Sequence, residues 1–490
     1  MGRITASMLY NLIQCPHRVT LDLFGRYEDR DPVSPFVQLL WEKGTAFEKE
    51  VIDGLAMPFT DLSTFRGEEK EGMTKEAMER GDGLIYSGRI TAGDLVGEPD
   101  MLRRQGSAYV AGDIKSGAGE EGASENSEGR PKKHYAVQLA LYTDILERLG
   151  CSGGRIPFVW DVHGEEVPYA LEASRGVKAK GSLWDLYEAC LEDVRAISLK
   201  GKKTLPALGA ACKLCCWRTM CKKELKAAQD LTLIPELGRE KRDVMIVRIR
   251  TLPDLAAADI SALIRGRKTL FPGIGPDSLR KFQERARLLL QPGGRPYIKK
   301  EIALPDAGAE LFFDIETDPM RDVCYLHGFL ERRAGTEHYV SLFAESPAAE
   351  DEERAFARAW QYVQSAMPCV IYYYSPYERT LWRKLRERYP HVASEEQMDE
   401  LFAPHRAVDL YTHVVKPCME WPTNDHSIKT LASWLGFTWR DMDPSGAASI
   451  EWYHRWVERG DEAIRRRILQ YNEDDCIATR VLLDGIKSLL

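Results

Sequence analysis

The sequence predicts a multidomain α/β protein, on three observations. Its 490 residues exceed what one hydrophobic core organises, and a length of about 150 residues per domain gives roughly three units. Strand-like runs such as "AYVAGDI" and "ELFFDIETD" are followed by amphipathic helical stretches towards both ends of the chain. Between them lies a segment of short helices broken by glycines, with a charge unlike its surroundings. These features set the expected boundaries at residues 1–228, 229–292 and 301–490.

Composition excludes several classes. Hydrophobic residues make up 44% and charged residues 29%, as in ordinary water-soluble domains, and no apolar run approaches the length of a membrane span. The opening "MGRITASMLYNLIQCPHR" lacks the basic-then-apolar layout of a secretion signal, so the expectation is a cytoplasmic protein with no membrane partner. The net charge of −8 conceals an asymmetry. Residues 200–300 hold 23 Lys or Arg against 9 Asp or Glu, a local +14, which leaves −22 for the remainder. A phosphate-binding segment between acidic, metal-holding lobes has this pattern; so does a solvated basic face.

In the first unit, strand alternation in "AYVAGDIKSG" puts Asp113 and Lys115 on one face, and "VGEPDML" places Asp100 after a turn upstream. Two carboxylates hold a divalent cation that activates water, and a neighbouring lysine stabilises charge on a transferring phosphoryl group. Taken alone, a DxK on a strand is also an ordinary surface ion pair. Its surroundings add Glu48 on an upstream helix, in "KGTAFEKEVIDGL", and Gln138 and Tyr142 four residues apart in "HYAVQLALYTDIL". This ordered set resembles the PD-(D/E)XK nucleases of the RecB type, especially the CRISPR-associated and AddB-like exonucleases. The resemblance implies a restriction-endonuclease-like lobe with Glu48, Asp100, Asp113, Lys115, Gln138 and Tyr142 as catalytic residues, Asp100 and Asp113 being metal ligands. It departs at Phe47, where many relatives carry His. An acidic Gly/Ser/Glu-rich insert, "SGAGEEGASENSEGRPKK", is expected to be a mobile loop.

Four of the eleven cysteines fall in "ACKLCCWRTMC". Cys212, Cys215 and Cys221 have the spacing of metal ligands, whereas Cys216 leaves the backbone on another face, so a fourth ligand must come from elsewhere. In a reducing compartment such a group reads as a metal site and not as disulfides. The RecB-type resemblance implies that Cys15, in "LIQCPHR", joins Cys212, Cys215 and Cys221 around a 4Fe–4S cluster. Thiolates alone do not distinguish such a cluster from structural zinc.

The middle segment contains a short echo, "LIPELGREKRDVMIVRI" and "LFPGIGPDSLRKFQERARLLL", each an apolar start, a glycine turn and a periodic helix. Gly273 and Gly275 permit a compact turn at a helix start; the first copy has only Gly238. The pair resembles the helix-hairpin-helix module, which implies a small all-α domain that binds the DNA backbone without regard to sequence. "QPGGRPYIKK" reads as a linker to the third unit.

In that unit the same alternation puts Asp314 and Glu316 on one face of an otherwise apolar strand, where acids are costly unless they bind cations. In "ILQYNEDDCIATRVL", Tyr471 and Asp475 stand at i and i+4 of a helix. This DxE and YxxxD pair resembles the DEDD exonucleases of the RNase H-like fold, in the tyrosine-bearing subgroup that includes proofreading domains of family A polymerases. The resemblance implies Mg²⁺ or Mn²⁺ held by Asp314, Glu316, Asp475 and a middle aspartate, a position that Glu378 fills here in "VIYYYSPYERTLWRKL". Tyr471 would then orient water and 5′-mononucleotides would leave a 3′ end. Asp409 and His426 are expected to support or pack.

Together the three parts resemble RecB-like nucleases that carry a C-terminal RNase H-like domain. The implied activity is metal-dependent hydrolysis of DNA with free or single-stranded ends, in repair, recombination or defence. Two alternatives stand beside it: a nucleic-acid-binding scaffold that has lost catalysis, and an RNA-processing exonuclease.

Overall fold

The structure, a computed structural model, describes residues 2–122, 129–174, 181–306, 308–442 and 444–490. The chain forms two compact units: residues 1–206 with 210–223, and residues 207–209 with 224–490. Among the described residues no helix is long and apolar enough to cross a membrane.

The first unit is built on a six-stranded sheet, β1 (Thr60–Asp61), β2 (Leu84–Tyr86), β3 (Met101–Gln105), β4 (Ala108–Ile114), β5 (Phe158–Trp160) and β6 (Glu166–Pro168), ordered 6-5-4-3-2-1. Strand β4 pairs antiparallel with β3 and parallel with β5. A parallel pair needs a crossover, supplied by helix α4 (Lys133–Arg148), whose Ala136 to Leu146 stretch is almost wholly buried. Helices α1 (Ala6–Gln14), α2 (Pro16–Phe24), α3 (Pro35–Asp53) and α5 (Leu183–Ser198) belong to the same unit. Leu9, Ile85, Leu102, Val137, Leu141, Val159 and Val194 share its core. Cys15 separates α1 from α2, where Pro16 starts the second helix without needing its missing N–H. Of the insert expected to be mobile, residues 123–128 lie outside the described residues. Its flanks Glu120–Glu121 and Arg130–Pro131 pair antiparallel.

In the second unit, α6 (Gly238–Met245), α7 (Leu252–Ala257) and α8 (Pro276–Leu290) pack around Leu237, Met245, Leu255, Phe271, Leu279 and Phe282. This segment is not all-α as expected: Ile264–Arg265 and Lys268–Thr269 form a β-hairpin between α7 and α8. Nor is "QPGGRPYIKK" a free linker, because Tyr297–Ile298 pairs antiparallel with Met419–Glu420. Arg285 Nε donates to Glu420 Oε2 at 2.7 Å with both groups buried, which ties α8 to the same Met419–Glu420 strand.

The rest of the second unit is a five-stranded sheet of β7 (Ala309–Asp318), β8 (Val323–Arg333), β9 (Thr336–Phe343), β10 (Val370–Tyr373) and β11 (Ala407–Asp409), ordered 9-8-7-10-11. The first three strands are antiparallel; β10 and β11 run parallel to β7. Leu311, Phe313 and Ile315 face α9 (Ala349–Ala366) and α10 (Tyr377–Arg388). Phe312 faces the long C-terminal α13 (Glu462–Lys487), through Cys476, Leu482 and Leu483. The period of two therefore turns Asp314 and Glu316 towards α13 as well. Helices α11 (Ile428–Trp434) and α12 (Gly446–Arg459) border the same face.

Candidate functional site

On the α13 face of β7 the backbone delivers three acids to one place. Asp314 and Glu316 come from the strand, and Asp475 from the helix, one turn after Tyr471. Ligand oxygens of Asp314, Glu316 and Asp475 lie within 4.8 Å of one another, and no other group of three such residues is drawn together among the described residues. Glu316 is only 6% exposed. Burial, then Asp475, push its carboxyl up to about 8, partly offset by Ser449, Lys429 and Asn472. Asp314 is raised well above the usual carboxylate range by burial, then by Asp475, Glu316 and Glu378. Like charges in a dry site resist ionising together unless a cation joins them.

The surrounding groups fix the carboxylates. Asn472, fully buried on α13, donates from Nδ2 to Asp314 Oδ2 at 2.7 Å and accepts at Oδ1 from Tyr339 OH at 2.8 Å. Trp439 Nε1 donates to Asp475 Oδ1 at 2.7 Å. Lys429 Nζ donates to Tyr471 OH at 2.9 Å and approaches both Asp475 oxygens, at 3.1 and 3.3 Å, above the rings of Tyr471 and Trp439. One ammonium thus serves a site of three acids. An all-oxygen donor set with this charge suits a hard divalent cation such as Mg²⁺ or Mn²⁺.

Glu378 lies outside the close triad. It is buried in the first turn of α10 and takes a long hydrogen bond from Ser375 Oγ at 3.4 Å. Burial, then Asp409 and Asp475, raise its carboxyl well above the usual range. Asp409 acts through Ser375: its Oδ1 accepts from Ser375 N at 3.1 Å and Thr412 N at 2.9 Å, holding Ser375 at φ 112°, a conformation that costs energy for a residue with a Cβ. His426 stands apart from the acids, lowered to about 4 by burial and then by Arg285.

Residues 311–486 match the RNase H superfamily. The C-terminal part of the chain is therefore RNase H-like, and the matched residues contain Asp314, Glu316, Glu378, Tyr471 and Asp475. No curated protein matches the chain. An RNase H-like domain supports nuclease-type phosphodiester hydrolysis and a nucleic-acid substrate. Sequence reasoning misses Lys429, Trp439, Asn472 and Ser449 of this domain, because nothing in their local spacing marks them.

The first unit brings its predicted residues towards one another more loosely. Lys115 Nζ is 2.8 Å from Asp113 Oδ2, as the shared strand face requires, and Ile114 N donates to Asp100 Oδ2 at 2.7 Å. Burial, then Asp113, raise Asp100 to about 8; Lys115 opposes and Glu48 adds to the rise. Glu48 accepts from Tyr86 OH at 2.8 Å, a partner 38 positions away that no local motif marks. Tyr142 is buried on α4 and raised by burial and then by Asp113 and Asp100; Gln138, one turn earlier, is half-buried. Phe47 packs against the cluster of Ile52, Leu84, Met101 and Phe158.

Around the cysteines, Trp217 Nε1 donates to Asp22 Oδ1 at 2.8 Å, Asp31 N to Cys216 O at 2.6 Å and Thr219 N to Asp31 Oδ2 at 2.9 Å. These bonds draw the 212–221 segment to the α1–α2 region that carries Cys15. Burial raises the Cys215 thiol, and Cys15 is among the smaller influences on it. Zinc at about 2.3 Å from each sulfur needs sulfurs about 3.8 Å apart. Among the described residues no three of these thiols come within 4.8 Å of one another.

The raised carboxyls predict a pH response. Protonated Glu316 and Asp100 favour the fold, so their contribution is present below the unfolded carboxylate pKa near 4 and is lost as pH rises through about 8; Asp314, raised in the same direction, adds to the loss. In chelator, calorimetry should show melting temperature falling between about pH 5 and pH 8, with Mn²⁺ restoring it at pH 8. A melting point indifferent to Mn²⁺ at pH 8 would count against a cation site.

Proposed function

We propose that the protein is a Mg²⁺- or Mn²⁺-dependent nuclease that removes 5′-mononucleotides from 3′ ends of DNA, single-stranded or with free ends, in repair, recombination or defence. The observation that carries this reading is the convergence of half-buried Asp314 with buried Glu316 and Asp475, the last one helical turn after Tyr471. Bound at these carboxylates, a divalent cation would lower the pKa of water and offset charge on the departing 3′ oxygen. Asn472 and Trp439 hold the Asp314 and Asp475 oxygens in place, which keeps the acids convergent despite their repulsion. Tyr471 OH, which accepts from Lys429, would orient the attacking water, and Lys429 would offer positive charge to a phosphate. Glu378 sits within electrostatic reach as the outer acid.

The first unit is, on this reading, a second nuclease site of the PD-(D/E)XK type, with Asp100 and Asp113 as ligands, Lys115 as the charge stabiliser, and Glu48, Gln138 and Tyr142 around them. Its cysteines Cys15, Cys212, Cys215 and Cys221 would hold a 4Fe–4S cluster, a reading that draws on their spacing and on the hydrogen bonds between the 212–221 segment and the region of Cys15. The helical segment grips the DNA backbone. The scaffold alternative draws on two observations: Phe47 is a packing residue where relatives carry His, and Glu378 stands off the triad.

The test is incubation of end-labelled single-stranded DNA and RNA with the protein and Mn²⁺, beside Asp113→Ala. Mononucleotide release from the DNA 3′ end supports the reading; binding of both polymers without cleavage establishes the scaffold. Iron and acid-labile sulfide in anaerobically purified protein are expected, and stoichiometric zinc in their place would overturn the cluster assignment.

A further inference from the structure

The hairpin between α7 and α8 carries a charge that nothing else in the described structure uses. Its turn is made by Gly266 at φ 61°, and Arg265, Arg267 and Lys268 are all exposed. No acid pairs with these three among the described residues.

Several other cations of the segment are occupied. Arg242 is held by Asp230, Lys281 and Arg285 by Glu236, Arg280 by Asp277 and Lys299 by Glu284. Arg287 Nε donates to the Ala256 carbonyl at 2.9 Å. The acids in these pairs are among the nine already counted in residues 200–300, so the local excess of +14 stands, and three of its unpaired charges meet on one turn of four residues.

The hairpin also has a firm base. Thr269 Oγ1 donates to Ile274 O at 2.6 Å and accepts from Phe271 N at 3.1 Å, while Leu270 N donates to Leu263 O at 3.0 Å. Phe271 and Ile274 are buried in the core of the segment. A cationic loop anchored in this way loses less conformational entropy on binding than a free chain of the same composition. Guanidinium groups match the paired oxygens of a phosphodiester, and the run "IRGRKT" has no aromatic ring on which a base could stack. The chemistry recognised is therefore the backbone, without sequence preference.

We propose that the Arg265–Lys268 hairpin is a DNA-backbone grip, engaging about three phosphates with Arg265, Arg267 and Lys268. The inference rests on the nuclease reading and adds to it the element that holds the substrate.

The test is fluorescence anisotropy of a labelled single-stranded DNA oligonucleotide with the full chain in chelator, so that binding is read without cleavage, over a range of salt. In the triple variant Arg265→Ser, Arg267→Ser, Lys268→Ser, affinity at low salt should fall roughly 30-fold. The slope of log affinity against log salt should become shallower by about 2, since each neutralised phosphate contributes about 0.7 on a single strand. Because the three side chains are exposed, melting temperature should not change. The double variant Arg248→Ser, Arg250→Ser, exposed in the same segment, should lose less than half of that slope. Unchanged affinity and slope in the triple variant, with wild type binding normally, would overturn the hairpin assignment alone. Failure of wild type to bind DNA at any salt would sink the nuclease reading and the grip with it, and binding of RNA but not DNA would overturn the choice of polymer.

Discussion

Asp314→Asn should lower the rate of 5′-mononucleotide release by about 10³-fold or more, because a ligated cation supplies several kcal/mol to phosphoryl transfer and each 1.36 kcal/mol is a factor of ten. The same change should make the metal-free protein more stable. Asp314 is raised by burial and by the charges of Asp475, Glu316 and Glu378, so a neutral amide of the same shape removes a repulsion the fold otherwise tolerates. Its carbonyl oxygen can still accept from Asn472. Opposite signs for activity and stability separate a cation site from a structural acid, whose loss would lower both. End-labelled DNA with Mn²⁺ reads the first effect and calorimetry in chelator the second. A variant retaining a tenth of wild-type rate would remove the reacting centre from this triad.

The residues that make the triad were legible because each obeys a local rule. Alternation along β7 sets Asp314 and Glu316 on the face of Phe312, and the helical repeat aligns Tyr471 with Asp475. The residues that hold the triad were not. Asn472 meets Asp314 across 158 positions, and Lys429 meets Asp475 across 46, contacts that no window of sequence contains. Glu378 was legible as an acid at the right place in the order of motifs, but its separation from the triad depends on how Ser375 and Asp409 set the start of α10.

The middle of the chain misled for a different reason. "LIRGRKTL" is too short to show a period, so its hairpin could not be told from a broken helix. The glycines and prolines of "QPGGRPYIKK" argue for a linker until Met419–Glu420, far downstream, offers a strand to pair with. The fold carries residues 210–223 back to the first unit, where Asp22 and Asp31 bind Trp217, Thr219 and the Cys216 carbonyl.

Gly328→Ala should cost about 3–5 kcal/mol of stability, the sum of overpacking a filled core and leaving a buried amide without its partners. Gly328 lies on β8 directly across from Asp314, and a Cβ there would stand 1.6 Å from Asn472 Oδ1 and 3.1 Å from Tyr339 OH. Its backbone is not in the left-handed region, so the demand for glycine is one of room alone. To admit a methyl group, Asn472 must leave its place, and Asp314 then loses its donor. Activity should therefore fall even at temperatures where the variant is folded. The double variant Gly328→Ala, Asn472→Ala separates the two consequences: removing the amide relieves the clash, so part of the lost stability should return, whereas Asp314 remains unsupported and activity should not. Calorimetry of the two variants beside wild type measures the coupling. A Gly328→Ala protein that melts and cleaves like wild type would mean that Asn472 does not occupy the space between the strand and α13, and that the triad is held by something else.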